Sequence, residues 1–196
     1  MAITNQVTQT GLKDLSMGRF KSVLDNGGSL AKACRYIVAI KPPTTIKSFP
    51  RELHYLCEAA EFPGRGFSVV QTRYYGPSQM YPVNSEYQPL NLTFMCRSDS
   101  QERRFFDDWL DTINPVDNFN FEYPEKYYSQ IELYQYAEYG EGGSSSTPLA
   151  HISYQWRLNK AWPTLVSPQP VSWADQDVLR MSVSFAYKYW DRPNLQ

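Results

Sequence analysis

The stretch LRMSVSFAYKY, residues 179–189, decides the fold that the sequence predicts. Apolar and aromatic residues occupy every second position, and the residues between them are mostly polar or small. Because successive side chains of a β-strand point to opposite faces of a sheet, this pattern predicts a strand with one buried face. That face carries Leu179, Met181, Val183, Phe185, Tyr187 and Tyr189.

The same alternation recurs outward from this stretch, in segments separated by turn residues. Prolines and glycines end these segments, for example Pro42-Pro43 and Phe62-Pro63-Gly64. Four further strands are predicted in this way, at residues 34–40, 53–57, 127–137 and 151–159.

A long hairpin is predicted over residues 65–97, with its arms at 65–76 and 86–97. Gly76-Pro77 and Pro82 predict that the tip is not regular strand. The first arm is β-branched and aromatic but has no single apolar face. Such an arm is typical of a strand that has protein on both sides.

One helix is predicted over residues 99–113, because apolar residues recur there at helical spacing. Ser98 or Asp99 can cap it, and Gln101 or Glu102 can complete a capping box. Asn114-Pro115 ends it. Its apolar stripe consists of Phe105, Phe106, Trp109, Leu110 and Ile113.

These elements predict a mainly β fold, an antiparallel sandwich or barrel of about seven strands with one flanking helix. Residues 1–33 are expected to form an arm with a possible short helix, followed by a β domain over 34–196. The Gly- and Ser-rich residues 138–150 predict a flexible loop. The expected structural core contains Phe105, Phe106, Trp109, Leu110, Trp162, Phe185 and Tyr187.

The composition disfavours several classes of protein. Lys and Arg number 19 against 20 Asp and Glu, a net charge of −1, whereas a protein that grips nucleic acid carries a basic excess. The start of the chain has no pattern of a signal peptide, and Cys34, Cys57 and Cys96 are expected to be free thiols. Aromatic residues make up 15% of the chain, which suits large protein–protein contacts.

No residue pattern predicts catalysis, a metal or a cofactor. His54 and His151 occupy strand positions outside any metal-binding motif. Three acidic residues, Asp107, Asp108 and Asp111, are interpreted as a solvated helix face rather than as a pair of catalytic carboxylates. An alternative function is a carbohydrate-binding β-sandwich that stacks sugars on tyrosines, namely Tyr128, Tyr134 and Tyr136.

An ordered set of short motifs carries a family resemblance over about residues 34–192. The motifs are LCEAAEFPG (56–64), LTF (92–94), RFFDDW (104–109), AWPT (161–164), VSW (171–173) and VSFAYKYW (183–190). In this order they resemble the tail-tube family of T4-like contractile bacteriophages, which includes tube-like baseplate initiators. The arm at 1–33 and the loop after residue 138 depart from the family pattern.

The resemblance implies a structural virion protein made in the host cytoplasm. Six copies would form a ring, and rings would stack into a tube inside a sheath and on a baseplate, with double-stranded DNA passing through without specific binding. The alternative within the family is an initiator that forms one ring at the base of the tube. Expected inter-subunit or lumen residues are Gln71, Arg73, Tyr74, Glu86, Gln88, Asn91 and Thr93.

Overall fold

A computed structural model of the 196-residue chain describes residues 21–22, 30–46, 49–136, 152–174 and 176–193. The chain divides into two compact units, one of residues 1–36 and 135–154, the other of residues 37–134 and 155–196. In the first unit the backbone N–H of Tyr136 donates to the carbonyl of Arg35 at 3.1 Å. Residues 21–22 are helical. Most of the expected arm, the loop at 138–150 and His151 lie outside the described residues.

The described residues form nine strands and one main helix, which confirms the predicted mainly β class. One sheet has the strand order β1-β6-β7-β8-β5-β2, with β9 paired to β7, and β3 and β4 form a separate pair. The strands are β1 (Tyr36–Lys41), β2 (Cys57–Ala60), β3 (Arg65–Thr72), β4 (Gln79–Tyr87), β5 (Leu90–Met95), β6 (Ser129–Tyr136), β7 (Ile152–Val166), β8 (Arg180–Ala186) and β9 (Tyr189–Asp191).

The sheet packs against helix α1 (Gln101–Ile113), which is followed by a single turn, α2 (Pro124–Tyr127). The ring of Phe106 lies 5.4 Å from Phe94 of β5 and 6.0 Å from Phe185 of β8. Trp109 is fully buried, and its Nε1 donates to the carbonyl of Tyr127 at 2.9 Å. The aromatic stripe of α1 therefore closes one face of the sheet.

The cap of α1 differs from the prediction. The N-cap residue is Ser100, with a φ of 51° and no capping hydrogen bond from its side chain. Instead the buried Glu102 accepts from the backbone N–H of Arg97 at 3.2 Å and from Arg97 Nε at 2.6 Å. A carboxylate in the first turn also stabilises the positive end of the helix dipole.

The predicted strand at 53–57 is wrong in its first half. Leu53–Tyr55 is one turn of 3₁₀ helix, in which Leu53 N–H donates to Pro50 and Tyr55 N–H to Glu52. Two apolar residue types at a spacing of two imitate a strand in the sequence, but Leu53 is buried while Tyr55 is exposed, so the two side chains do not share a face. The strand β2 begins only at Cys57.

The expected pairing of 65–76 with 86–97 is also wrong. β3 pairs with β4 from Arg65↔Tyr87 to Thr72↔Gln79, whereas β5 pairs with β2 and β8. Pro82 lies inside β4, opposite Val69 and next to a register shift. A proline is tolerated there because a two-stranded sheet consists of edge strands only.

The stretch that opened the sequence analysis is one strand only as far as Ala186. The strand ends there, and residues 187–188 are not part of any strand. The next strand, β9, pairs with β7, with Trp190 opposite Leu158. Tyr189 is consequently exposed rather than part of the buried face. Conversely, β7 runs on to Val166, through Lys160 at a φ of 57° and Pro163.

A candidate assembly surface

The β3–β4 hairpin leaves apolar side chains exposed on both of its faces. Neighbours in one strand, Val69 and Val70, point to opposite sides, and both are about half exposed. The apolar side chains on the hairpin with an exposed fraction of 47–65% are Phe67, Val69, Val70, Met80, Tyr81 and Val83. Exposed apolar side chains grouped in this way are typical of a protein–protein contact surface.

The base of the hairpin is fixed by Arg65. Its guanidinium carbon lies 5.2 Å from the ring centroid of Phe67 and 5.6 Å from that of Tyr87. Its Nη2 donates to Ser85 Oγ at 3.1 Å. Because an isolated two-stranded hairpin is marginally stable in water, such contacts help to hold its exposed strands in order.

The tip of the hairpin, residues 73–78, presents exposed aromatic and basic side chains. Tyr74 is 95% exposed and Tyr75 90% exposed. Gly76 has a φ of +76°, which favours glycine, and turns the chain. Gln71 Nε2 bonds Ser78 Oγ across the turn. Three expected inter-subunit residues, Gln71, Arg73 and Tyr74, therefore meet at or beside this tip.

The other four expected residues lie elsewhere. Glu86 and Gln88 are exposed near the base of the hairpin. Asn91 and Thr93 alternate along β5 with its buried residues, so they belong to the solvent-facing side of the main sheet. The structure thus separates the seven residues into a tip group, a base group and a sheet group.

The sheet group belongs to a ladder of short polar side chains. Asn91 Nδ2 donates to Glu61 at 2.9 Å, and Ser184 Oγ donates to Asn91 Oδ1 at 2.7 Å. Thr93 Oγ1 and Ser182 Oγ share a hydrogen bond of 3.2 Å. The Asn91–Ser184 and Thr93–Ser182 bonds join directly opposed residues of β5 and β8. The result is a wetted surface with little net charge.

The expected core residues fall into two groups. Phe105, Phe106, Trp109 and Phe185 are buried, whereas Leu110, Trp162 and Tyr187 are half-buried. Burial, and to a lesser extent the neighbouring Tyr87, raises the pKa of Tyr187 to about 12. The hydroxyl of Tyr187 has no hydrogen-bond partner among the described residues.

A polar cluster on β1 and β6 includes Tyr134, one of the three tyrosines of the carbohydrate-binding alternative. Lys41 Nζ lies 2.8 Å from the buried Glu132, which also accepts from the hydroxyl of Tyr134. Burial favours a higher pKa, but the hydrogen bonds from Lys41 and Tyr134 outweigh it and hold the pKa of Glu132 below its usual value. Tyr128, Tyr134 and Tyr136 are all half-buried.

A second exposed surface is the aromatic loop (residues 116–123), which sequence reasoning noted as a loop but did not single out as a contact surface. Phe119, Phe121 and Tyr123 are 70%, 77% and 78% exposed. The sequence signal for this surface is that Phe119, Phe121 and Tyr123 alternate with the polar residues Asn120 and Glu122, outside any predicted helix or strand. Trp173, in the segment between β7 and β8, is also fully exposed.

The described residues do not assemble a reactive site. No group of three His, Cys, Asp or Glu among them could hold a metal ion. Burial raises the pKa of the Cys57 thiol to about 12, which suppresses the nucleophilic thiolate. Asp107 is bound to Arg103 at 3.0 Å. No helix within the described ranges is long and apolar enough to cross a membrane.

Within the described residues, a β fold with one packed helix and a hairpin whose apolar faces are exposed defines a class of protein, a β domain with an exposed apolar contact surface. Comparison with known proteins makes the assignment specific. The family model described as phage tail tube protein matches residues 31–192, and the chain belongs to that family. It is therefore a structural component of a phage tail tube and not an enzyme.

Solved structures share the fold at low sequence identity. A chain of the anti-feeding prophage baseplate, in a 6-fold symmetrised cryo-EM structure, is 14% identical, with a TM-score of 0.60, covering 86% of this chain and 98% of that one. A chain of the PVC sheath-tube complex, from an extracellular contractile injection system in its extended state, is 12% identical, with a TM-score of 0.58 over 85% and 93%. None of the curated proteins matches the sequence.

Proposed function

We propose that this chain is the repeating subunit of the inner tube of a contractile phage tail. Six copies close into a ring, and rings stack into a hollow conduit for the genome. The observation that carries this proposal is the β3–β4 hairpin, whose apolar side chains are exposed on both faces. Head-to-tail contacts that close give rings, and contacts along an axis that do not close give filaments.

The edges of the main sheet support the same proposal. β1 and β2 end the strand order, so each can pair with a strand of a neighbouring copy. Pairing between copies satisfies open strand edges that otherwise favour aggregation. The similar chains come from a 6-fold symmetrised baseplate and from a sheath-tube complex, which supports sheath and baseplate proteins as partners here.

Electron microscopy of the purified chain tests the proposal. Negatively stained samples at increasing protein concentration should contain rings or tubes with a central hole and sixfold symmetry. A species that stays monomeric by sedimentation at the highest concentrations would contradict it.

The polar ladder on β5 and β8 is our candidate for the wall of the conduit. Double-stranded DNA carries a charge every ~1.7 Å of its axis, so a basic wall would retain it whereas a neutral or acidic one lets it pass. Virions that carry Asn91→Lys with Thr93→Lys should assemble but eject DNA more slowly. Asn91→Gln with Thr93→Ser is the matched control. Equal ejection rates for the two pairs would exclude this surface from the wall.

A second candidate is the tube-like baseplate initiator, which forms one ring at the base of the tube. It is favoured by the similarity to a baseplate chain with a TM-score of 0.60. Residues 1–33 would then serve as an adaptor arm to baseplate neighbours, attached to a β domain over 34–196. Copy number separates the candidates, because a tube subunit is present in tens of copies per virion and an initiator in about six.

The proposed role implies where the protein is made and where it functions. The chain is synthesised in the host cytoplasm and ends in the virion tail. Reducing conditions in the cytoplasm keep its cysteines as thiols, and Cys34, Cys57 and Cys96 form no disulfide in the structure.

A further inference from the structure

The aromatic loop presents its apolar side chains in a fixed arrangement. The backbone N–H of Phe119 donates to Pro115 at 2.9 Å, and that of Glu122 donates to Ile113 at 3.0 Å. Glu122 also binds Lys126 at 2.6 Å. Phe119 has a φ of 52°, a conformation that L side chains rarely adopt. The loop is therefore held with Phe119, Phe121 and Tyr123 in solvent before any partner binds.

The loop lies in an acidic part of the sequence. Six acidic residues and no basic residue occur between positions 105 and 125. Asp107 is paired with Arg103 and Glu122 with Lys126. The other four, Asp108, Asp111, Asp117 and Glu125, form no ion pair with any described residue. The partner of this surface should therefore be apolar and carry positive charge.

The β3–β4 hairpin has that chemistry. Between Gly66 and Ser85 the only charged residue is Arg73, which is exposed at the tip and forms no ion pair with a described residue. The apolar residues on each face recur about every 7 Å along the strand. Phe119, Phe121 and Tyr123 follow each other at the same two-residue spacing in a segment without helical structure.

We propose that the hairpin of one copy lies on the aromatic loop of the next copy, with Arg73 against the acidic residues beside that loop. This inference rests on the proposed self-assembly and names the two surfaces that meet. Three aromatic side chains of this exposure supply several hundred Å². That is a substantial part of the roughly 800 Å² that each partner contributes to a standard interface.

The test measures the protein concentration at which the purified full-length chain assembles, by sedimentation and negative-stain microscopy. Phe121→Ser and Arg73→Glu should each raise that concentration at least tenfold. Both side chains are exposed, so the thermal unfolding midpoint of the monomer should not change. Charge reversal of the loop by Asp117→Arg in the Arg73→Glu background should restore most of the loss.

A direct readout uses single-cysteine variants in a background without the natural cysteines. With a mild oxidant such as dissolved oxygen to accept the two electrons, Met80→Cys mixed with Phe121→Cys should form disulfide-linked dimers that contain one copy of each. Met80→Cys mixed with Trp173→Cys is the control and should form far fewer.

The outcomes separate the two proposals. If the unmodified chain never assembles, the proposed function fails and the inference with it. The inference alone fails if the unmodified chain assembles, Phe121→Ser assembles equally well, and the Met80→Cys and Phe121→Cys variants do not cross-link. A different tail component would then cover the loop.

Discussion

The core beneath α1 and the β3–β4 hairpin are built from the same kinds of residue but have opposite surroundings. Phe105, Phe106 and Trp109 are at most 1% exposed, and the rings of Phe106 and Trp109 pack on β5 and β8. Phe67 and Val69 of the hairpin are more than half exposed. Apolar composition is thus common to both regions, and only the first finds its contacts inside one chain.

This difference separates two sources of free energy. Burial in the core stabilises the monomer at about 25 cal/mol per Å² of apolar surface removed from water. The hairpin can release comparable free energy only when a second protein surface covers it. Substitutions in the core should therefore change folding, and substitutions in the hairpin should change association.

The largest expected effect is at Trp109. Trp109→Ala should lower the free energy of unfolding by about 3–5 kcal/mol, because it leaves a cavity under α1. Urea unfolding followed by circular dichroism measures this loss. The matched control is Trp173→Ala, where the side chain is fully exposed and the change should be within about 0.5 kcal/mol. Equal losses would show that α1 does not close the core.

A smaller effect is expected at the start of α1. Glu102→Gln removes the charge of a buried carboxylate that bonds Arg97, which should cost about 1–3 kcal/mol. Glu52→Gln is the control, because Glu52 bonds the same arginine at 2.9 Å but is mostly exposed. Its loss should be about 0.5 kcal/mol or less. If Glu102→Gln and Glu52→Gln lowered the free energy of unfolding equally, the buried Glu102 would contribute no more than the exposed ion pair.

Glu132 should give the fold a dependence on acid. Its folded pKa is depressed, so its contribution is present above the unfolded pKa and is lost as pH falls through the folded pKa. Glu132→Gln should cost about 1 kcal/mol at neutral pH and nothing at the acid end. Lys41→Met should move the acid loss to higher pH, because burial then acts on the carboxylate without its cation. Both effects are measured as the free energy of unfolding between pH 2 and 7. If the pH dependence of the variants paralleled that of the unmodified protein, Glu132 would not be the group responsible.

The smallest effect on folding should come from the hairpin. Val69 and Val183 are the same residue at 59% and 0% exposure. Val69→Ser should change monomer stability by at most about 0.5 kcal/mol, while raising the concentration needed for assembly. Val183→Ser should instead lower the stability of the monomer, because this side chain is buried. If Val69→Ser weakened folding as much as Val183→Ser, the hairpin would be part of the core.

Local patterns predicted the elements whose periodicity is set within the element itself. The expected helix at 99–113 is confirmed as Gln101–Ile113, because the period of its apolar stripe is set by the helix itself. The strand assigned to 53–57 failed because two residues of a 3₁₀ turn can imitate alternation. The strand containing Pro82 was missed because proline excludes central strands but not edge strands.

The candidate surface was only partly accessible to the same reasoning. The absence of one apolar face at 67–75 led to the prediction of protein on both sides of this strand. Both sides are exposed in the single chain, so a covering partner stays a prediction. Its partner could not be inferred, since pairing with 79–87 or with 86–97 depends on which segments β8 occupies. The aromatic loop was visible in the sequence as a loop, but only the structure showed that its three aromatic side chains stay in solvent.

The sequence by itself determined the mainly β class, the position of the helix and the family, because these follow from periodicity and from an ordered set of motifs. Only the tertiary structure decided which strand pairs with which, and which apolar residues remain in solvent. The physical reason is that strand pairing and burial depend on contacts between distant segments, and a local pattern records how a side chain points but not what it meets.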